Sequence, residues 1–443
     1  MSPIRELVAA IDIGTMWTKA VIGRFTPEGK MEILAYGETL TKGVRNGVVV
    51  NIDEAALSIR TVVNTLEKTI KLKVKKTYAG ISGQRICNRQ TTGYRMTENG
   101  EVTQNVVKAL MDEAQRFSCD KDEKVYHLIP QAYVVDGEHG VITPVGMAGR
   151  KVEATFTVIS AAESYEMNLR RSLEKAGVEL VSAFVNPFVQ GMGFLSKDER
   201  EAGVILLDMG AGTTGLSLYY ENKLRLAVEL PFGGNVISND IRDGCNIIPR
   251  HAEMVKLQCG CAFTEMVPDN KYAQIPEVEG WQAKEISFKN LAGIIQARLE
   301  EIMEGVNYQI NSTGLANKIG AGIVLSGGGS NLLGIDKLVS YLTGFDVRFG
   351  KPVVAIEELL FNQQIMNAGS ANVIGLLING MVQSKRNNYP VGMIVSDAPV
   401  EVKETPQPVR QQRSGLKSMV SDLFGKAKEG LNGLITDDDQ EIN

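Results

Sequence analysis

The sequence predicts an α/β protein built as two duplicated halves around a nucleotide cleft, with two inserted subdomains and a C-terminal amphipathic helix. Three observations carry that expectation. First, Asp12-Ile13-Gly14-Thr15, Asp208-Met209-Gly210-Ala211-Gly212-Thr213-Thr214 and Ser326-Gly327-Gly328-Gly329-Ser330 each follow an aliphatic run, at Leu7 to Ile11, Val204 to Leu207 and Ile323 to Leu325. A buried strand ends at each, and the backbone turns tightly there. Second, the order strand, glycine turn, strand, turn, strand occurs twice. Third, the composition changes sharply after residue 383.

The glycine segments point to phosphate. Glycine lets successive backbone N–H groups face one cavity, and an aspartate at a strand end can hold hydrated Mg²⁺ against the same phosphates. One such segment is an ordinary turn. Three, two of them Asp-x-Gly copies followed by further strand-like sequence, read as a site assembled from two halves.

Residues 7 to 40 predict three strands, Leu7–Ile13, Lys19–Phe25 and Met31–Leu40, separated by the first glycine segment and by Pro27-Glu28-Gly29. A helix follows, with Asp53 as N-cap and Ile59, Val62, Val63, Leu66 and Ile70 on one stripe; Val74–Ile81 returns as a strand. These residues, 1–83, join 161–198 as the first half. Between them, 84–160 reads as an inserted subdomain of short strands with a helical stretch at Val102–Phe117. From Val204 the earlier order repeats: Val204–Asp208, a glycine turn, Leu216–Tyr220, a turn at Glu221-Asn222-Lys223, then Leu224–Leu230. Gly210-x-Gly212-x-x-Gly215 matches the dinucleotide fingerprint, but strand-like residues follow where that motif requires a helix, so the Rossmann reading is rejected. The second half comprises 199–231 and 311–383. Its own insertion, 232–310, reads as mostly helical, with Val236–Ile241, His251–Leu257 and Leu291–Ile310.

Residues 384–414 hold Pro390, Pro399, Pro406 and Pro408 among polar residues and read as a flexible linker. In 415–435, Leu416, Met419, Val420, Leu423, Phe424, Ala427, Leu431, Leu434 and Ile435 recur mainly at steps of three and four, with Lys417, Lys426 and Lys428 on or beside the other face. Gly415, Gly425, Gly430 and Gly433 weaken this helix in water, so contact is expected to order it. An anionic lipid surface fits best, with Arg410 and Arg413 adding positive charge; a protein groove or the protein's own core are the alternatives. The end, 436–443, is an acidic tail.

Composition narrows the class. The 443 residues are 44% hydrophobic and 22% charged, the balance of a soluble globular chain of several domains. A net charge of −5 argues against nucleic acid as the main partner, leaving only local basic patches. The 5 cysteines are an odd, scattered set, which fits a reducing cytoplasm. The N-terminus, interrupted by Glu6 and Asp12, does not read as a signal peptide, and no segment has the run of apolar residues a membrane span needs. Cys245, His251, Cys259 and Cys261 share a short window, but the spacing lacks the usual Cys-x₂-Cys hook and packing is the expected role.

The three glycine segments resemble those of the actin, Hsp70 and sugar-kinase superfamily, an actin-like (ribonuclease H-like) fold. Within it, Gly80–Gln84 (GISGQ), Leu128–Gly137 (LIPQAYVVDG), Pro144–Gly149 (PVGMAG), Pro231–Asn235 (PFGGN) with Asp240-Ile241, and His251–Lys256 (HAEMVK) are similar to the bacterial FtsA cell-division family. The resemblance runs from about residue 5 to 383, and the terminal amphipathic helix recurs in that family as a membrane-targeting sequence. It implies ATP and Mg²⁺ as cofactors. Gly14, Thr15 and Lys19 would face the phosphates, Asp12 and Asp208 would orient Mg²⁺ through water, and Gly210, Gly212, Thr213 and Thr214 would form the second phosphate hairpin. Gly233 and Gly234 would contact the nucleotide, Gly327, Gly328, Gly329 and Asn331 would lie against the adenosine, and Glu253 and Lys256 near base and ribose. Gln190, on the helix joining the halves, would position the attacking water. As glutamine is no strong base, any ATPase is expected to be slow.

By the same resemblance the chain assembles with itself and attaches the tubulin-like ring protein FtsZ to the cytoplasmic face of the inner membrane at the division site. Downstream division proteins are further expected partners. The alternatives are an actin-like adaptor of another envelope machine, a pilus platform or rod-shape filament, and a soluble superfamily kinase.

Overall fold

The computed structural model describes residues 7–117, 120–275, 283–353 and 365–386. The expected amphipathic helix at 415–435 and the acidic tail lie outside these residues, as does the expected linker beyond Arg386.

The first half opens as an antiparallel meander of β1 (Val8–Ile13), β2 (Trp17–Phe25) and β3 (Met31–Leu40). A small hairpin, β4 (Val44–Arg45) and β5 (Val48–Val49), leads into α1 (Ile52–Ile70), and β6 (Lys76–Ile81) returns parallel to β1. The α1 cap is Asn51, whose side chain accepts from the N–H groups of Asp53 and Glu54. Asp53, expected as the cap, sits instead inside the first turn, where its charge complements the helix dipole. Two positions explain the shift: a cap must lie outside the helix with extended backbone, which Asn51 has.

The chain then leaves this sheet. β7 (Cys87–Met96), α2 (Gln104–Phe117), β8 (Glu123–Val135), β9 (Glu138–Val141) and β10 (Lys151–Ala162) form a separate sheet of order β7-β10-β8-β9 with its own small core, including Val102, Leu110, Tyr133, Val152 and Phe156. After α3 (Glu163–Lys175) the chain re-enters the first sheet as β11 (Glu179–Val185), parallel to β6, and crosses to the second half through α4 (Asn186–Phe194) and α5 (Lys197–Ala202).

The second half repeats the plan. β12 (Val204–Met209), β13 (Thr214–Tyr220) and β14 (Lys223–Leu230) are the meander. An insertion follows with α6 (Gly234–Cys245), α7 (Pro249–Cys259), the hairpin β15 (Tyr272–Ile275) and β16 (Lys284–Ser287), and α8 (Phe288–Ser312). The hairpin is an addition to the mostly helical content expected for 232–310. β17 (Ile323–Ser326), α9 (Ile335–Thr343) and β18 (Val347–Phe349) complete the half, and α10 (Ala371–Arg386) packs against α4 and β1.

The two five-stranded sheets have the same connectivity. Their orders are β11-β6-β1-β2-β3 and β18-β17-β12-β13-β14, and in both the first three strands in sequence pair antiparallel while the outer two are parallel. β1 is buried along its whole length and β12 nearly so, which is why both read as unbroken aliphatic runs rather than as alternating strands.

The inserted sheet belongs to the first half in sequence yet leans on the second. Gln131 Nε2 donates to Leu224 O (3.0 Å), Lys223 Nζ donates to Gln131 O (2.6 Å), and Asn88 bonds both Arg225 O and Ala227 N. His127 of β8 is sealed against the joining segment, stacked 3.7 Å from Phe188 and accepting from Val185 N–H (3.1 Å).

Candidate nucleotide site

Both Asp-x-Gly segments form the same turn. Asp12 pairs with Lys19 across β1 and β2, and Asp208 pairs with Gly215 across β12 and β13. Gly14 N–H donates to Trp17 O (3.0 Å), and Gly210 N–H to Thr213 O (2.8 Å), the same bond in each copy. The next threonine is fully buried in both: Thr18 Oγ1 bonds Thr41 Oγ1, and Thr214 Oγ1 donates to Phe232 O, each at 2.8 Å. Thr214 therefore shapes its hairpin with its side chain.

The two turns meet tip to tip. A Cβ on Gly212 would lie 2.5 Å from Thr15 Oγ1 and 2.9 Å from Asn46 Cα, so only glycine permits this approach. Thr15 Oγ1 accepts from Gly47 N–H (2.9 Å), which fixes its rotamer at the contact. The third glycine segment closes over the end of β12. Gly327 has φ +82°, and a Cβ there would stand 2.5 Å from Met209 O and 2.7 Å from Asp208 Oδ1. Gly329 lies against Met209, while Gly328 faces open space and Asn331 ends the turn at an exposed position.

The start of α6 docks on the second hairpin. Gly234 N–H donates to Gly210 O (2.9 Å) and Asn235 N–H to Ala211 O (2.8 Å), and a Cβ on Gly233 would lie 2.6 Å from Gly210 O. Lys256 Nζ reaches back from α7 to Gly234 O (2.9 Å) and Ser238 Oγ (2.7 Å) and pairs with Glu253 (2.7 Å). Glu253 and Lys256 are thus one brace beside the 210–214 turn rather than two independent charges.

Beneath the turns lies a buried polar cluster. Asp12 is 7% exposed, and burial pushes its carboxyl up to about 6 against the opposing effects of Asn186 and Lys19. Burial also raises Asp208, although Ser326, Gln190 and Lys19 favour its charged form. Asn186 Nδ2 donates to Asp12 Oδ1 (3.1 Å) and Ser82 Oγ (2.8 Å). Gln190 Nε2 donates to Asp208 Oδ2 (2.7 Å) and to Asn372 Oδ1, and Ser326 Oγ donates to Asp208 Oδ1 (3.0 Å). Lys19 Nζ donates to Gly369 O at the start of α10.

Asn186, Ser82, Ser326, Asn372 and Glu229 also belong to this cluster; Ser82 and Ser326 fall in segments singled out from the sequence, but none of the five was expected to face the aspartates. Glu229 had a visible signal. It occupies a buried position on β14, on the face that also carries Leu224 and Ala227, and a lone carboxylate on an apolar face calls for a reason. The other four are common polar residues whose roles depend on long-range contacts.

The donor set fits hydrated Mg²⁺. Two buried carboxylates, each lacking full countercharge, lie in one cluster, and the buried oxygens Asn186 Oδ1 and Gln190 Oε1 have no partner in the protein, so both are available to bound water. Mg²⁺ keeps several waters and takes few direct carboxylates, and no group of three metal-binding side chains converges among the described residues.

Duplicated five-stranded sheets, joined at facing Asp-x-Gly hairpins, define an actin-like protein. Solved structures with that fold include the PilM-PilN type IV pilus biogenesis complex (TM-score 0.61, 19% identity, 84% of this chain and 98% of that one) and MreB5 of Spiroplasma citri bound to ADP (TM-score 0.52, 15% identity, 87% and 100%). The family described as "Cell division protein FtsA" matches residues 205–375, and the "SHS2 domain inserted in FTSA" matches 83–160. Cell division protein FtsA of Bacillus subtilis is 31% identical over 349 residues, covering 78% of this chain and 79% of that protein; that of Neisseria meningitidis is 30% identical over 353, covering 80% and 85%. The chain belongs to the FtsA family of cell division proteins.

Proposed function

We propose that this protein binds ATP with Mg²⁺ between its two halves, assembles with itself, and holds the FtsZ ring on the cytoplasmic face of the inner membrane, where it helps recruit downstream division proteins. The single observation behind the nucleotide part is the pair of equivalent hairpins meeting at Thr15 and Gly212 above two buried aspartates. The MreB5 structures, bound to ADP and to AMPPNP, share this fold. In this reading 1–83 with 161–198 and 199–231 with 311–383 are the halves, and 84–160 and 232–310 are the insertions.

Backbone N–H groups of the 14–15 and 210–213 turns would hold the phosphates, with Lys19 adding a point charge. Asp12 and Asp208 would hold Mg²⁺ through water, and the ion would neutralise phosphate charge. Gly327 to Gly329, with Asn331, would border the adenosine, and the Glu253–Lys256 brace with Gly233 and Gly234 would bound the base and ribose side. Gln190 would orient water but cannot take its proton, so turnover would be slow and assembly, rather than catalysis, the use made of the nucleotide.

Attachment rests on the tail. Leu416, Met419, Val420, Leu423, Phe424, Leu431, Leu434 and Ile435 would form one apolar stripe if 415–435 is helical, and a filament would multiply weak individual contacts into stable binding. The test is co-sedimentation with anionic liposomes plus ATP and Mg²⁺, for the full chain, a chain ending at Ser414, and Phe424→Glu. Pelleting of the full chain alone supports attachment, and retention of FtsZ in that pellet supports the ring partner. Equal behaviour of all three would remove the anchor.

A further inference from the structure

Glu229 takes no part in the reading above, yet it ties the two halves together. Its Oε2 accepts from Gly83 N–H at 2.6 Å, a bond between β14 of the second half and the segment that follows β6 in the first. Ser82, next to Gly83 in the chain, lies near the same carboxyl and favours its charged form. Ser82 in turn accepts from Asn186 Nδ2, whose other bond is to Asp12 Oδ1. The connection therefore runs from Asp12 through Asn186 to Ser82, and from Ser82 along the backbone to Gly83, whose N–H is held by Glu229. Gly83 is itself held: its φ is +135°, and a Cβ there would meet Tyr165 at 2.6 Å and Val48 at 2.8 Å.

The other end of β14 carries the inserted sheet. Leu224, Arg225 and Ala227 are bonded by Gln131 and Asn88 from β8 and β7. The inserted sheet itself begins just after Gly83, so one short strand holds that sheet near its outer end and the Asp12 cluster near its inner end.

We propose that Glu229 is a positioning residue of the cleft: it sets Ser82 and Asn186, and through them Asp12, and because it stands on β14 it couples nucleotide occupancy to the seating of the inserted sheet on the second half. The inference rests on the ATP reading of the cleft. Coupling of this kind is reciprocal: whatever bound nucleotide does to the hold on the insertion, the hold does to nucleotide affinity by the same factor.

The experiment combines two measurements on the full chain, affinity for a fluorescent ATP analogue with Mg²⁺ and amide exchange of 87–96 and 123–135 with and without ATP and Mg²⁺. In the wild-type protein nucleotide slows exchange in these strands. Glu229→Ala weakens the nucleotide by roughly two- to tenfold, the range of one lost buried hydrogen bond, and abolishes the exchange response. Glu229→Gln, which keeps an acceptor for Gly83 N–H, preserves both. A role confined to stability would lower the melting temperature of Glu229→Ala and leave the exchange response in place. If Glu229→Ala does not fold, Gln131→Ala carries the test: cut from Leu224, it lowers both nucleotide affinity and the exchange response, and unchanged affinity overturns the coupling. Wild-type protein that binds nucleotide without any change in the inserted strands also overturns it. Wild-type protein that binds no nucleotide overturns the cleft reading itself, and this inference with it.

Discussion

The two halves share a scaffold and differ in what they place on it. Across the first sheet one row reads Asp12, Lys19, Glu38; across the second the equivalent row reads Asp208, Gly215, Glu229. In the first, a lysine stands beside the aspartate, offsets part of the rise that burial imposes on its pKa, and reaches Gly369 O. In the second, glycine leaves the row open: an added Cβ would meet only Asp208 and Pro187 at 3.6 Å and Glu229 at 4.0 Å, ordinary contacts. The two hairpins share their turn geometry, but the first carries a lysine beside its aspartate and the second carries Gly212, which approaches Thr15 too closely for any side chain. A single anionic ligand held between them needs both properties, charge from one side and close backbone approach from the other.

The compact half should be the more fragile. Gly327→Ala forces a side chain into a left-handed backbone position against Met209 O and Asp208 Oδ1, and should cost about 3 kcal/mol from strain and overpacking, with nucleotide binding lost. Urea unfolding and a nucleotide titration on the same sample would show it; a variant as stable as wild type would mean the third segment is not seated on β12.

Exchanging the distinctive residues sharpens the contrast. Lys19→Gly and Gly215→Lys each remove the asymmetry, and each should weaken Mg²⁺-dependent nucleotide binding on the order of tenfold. Gly215→Ala, which fits the available space, should bind as wild type does. Loss of affinity in Gly215→Ala would show that the gap itself is needed.

Glu229 makes a pH difference between the rows. Burial raises its carboxyl from an ordinary 4.5 to about 8, with Asp208 and Asp12 adding to the shift. The folded protein therefore holds a proton that the unfolded chain releases first. This contribution is fully present below about 4.5 and is lost as pH rises through about 8. Unfolding of the nucleotide-free protein at pH 5, 6.5 and 8 should show Glu229→Gln gaining on wild type as pH rises. His127 acts oppositely: burial lowers it to about 3, so stability falls as pH drops below 6.5.

The smallest effect concerns the two helix starts that follow the meanders. α1 is capped by a side chain, Asn51, whereas α6 begins at Gly234 with its N–H groups on carbonyls of the hairpin. Asn51→Ala should cost about 1 kcal/mol and leave nucleotide affinity unchanged, read by thermal unfolding and titration.

Legibility followed the range of the interaction. The strands and glycine turns were readable because local periodicity and backbone demands specify them: Val204–Asp208 and Leu224–Leu230 fall on β12 and β14 almost residue for residue. The Asn51 cap was misplaced by two positions because both Asn51 and Asp53 are good capping types, and only backbone angles separate them. Asp12 and Asp208 stood out as carboxylates at strand ends. Asn186 and Asn372 could not, since each acts on residues more than a hundred positions away, and nothing in their local sequence marks the partner. That β8 and β7 rest on β14 was equally hidden, because the strand that receives them follows the insertion by some distance in sequence.

The central claim is one nucleotide cleft made by two equivalent hairpins, and equilibrium titration of a fluorescent ATP analogue tests it most directly, with and without Mg²⁺, on wild type, Asp12→Asn and Asp208→Asn. One nucleotide bound per chain, strengthened by Mg²⁺, with both substitutions abolishing the Mg²⁺ dependence, is the predicted result. Binding that loses its Mg²⁺ dependence in only one of the two variants, or in neither, would contradict a site shared between the halves.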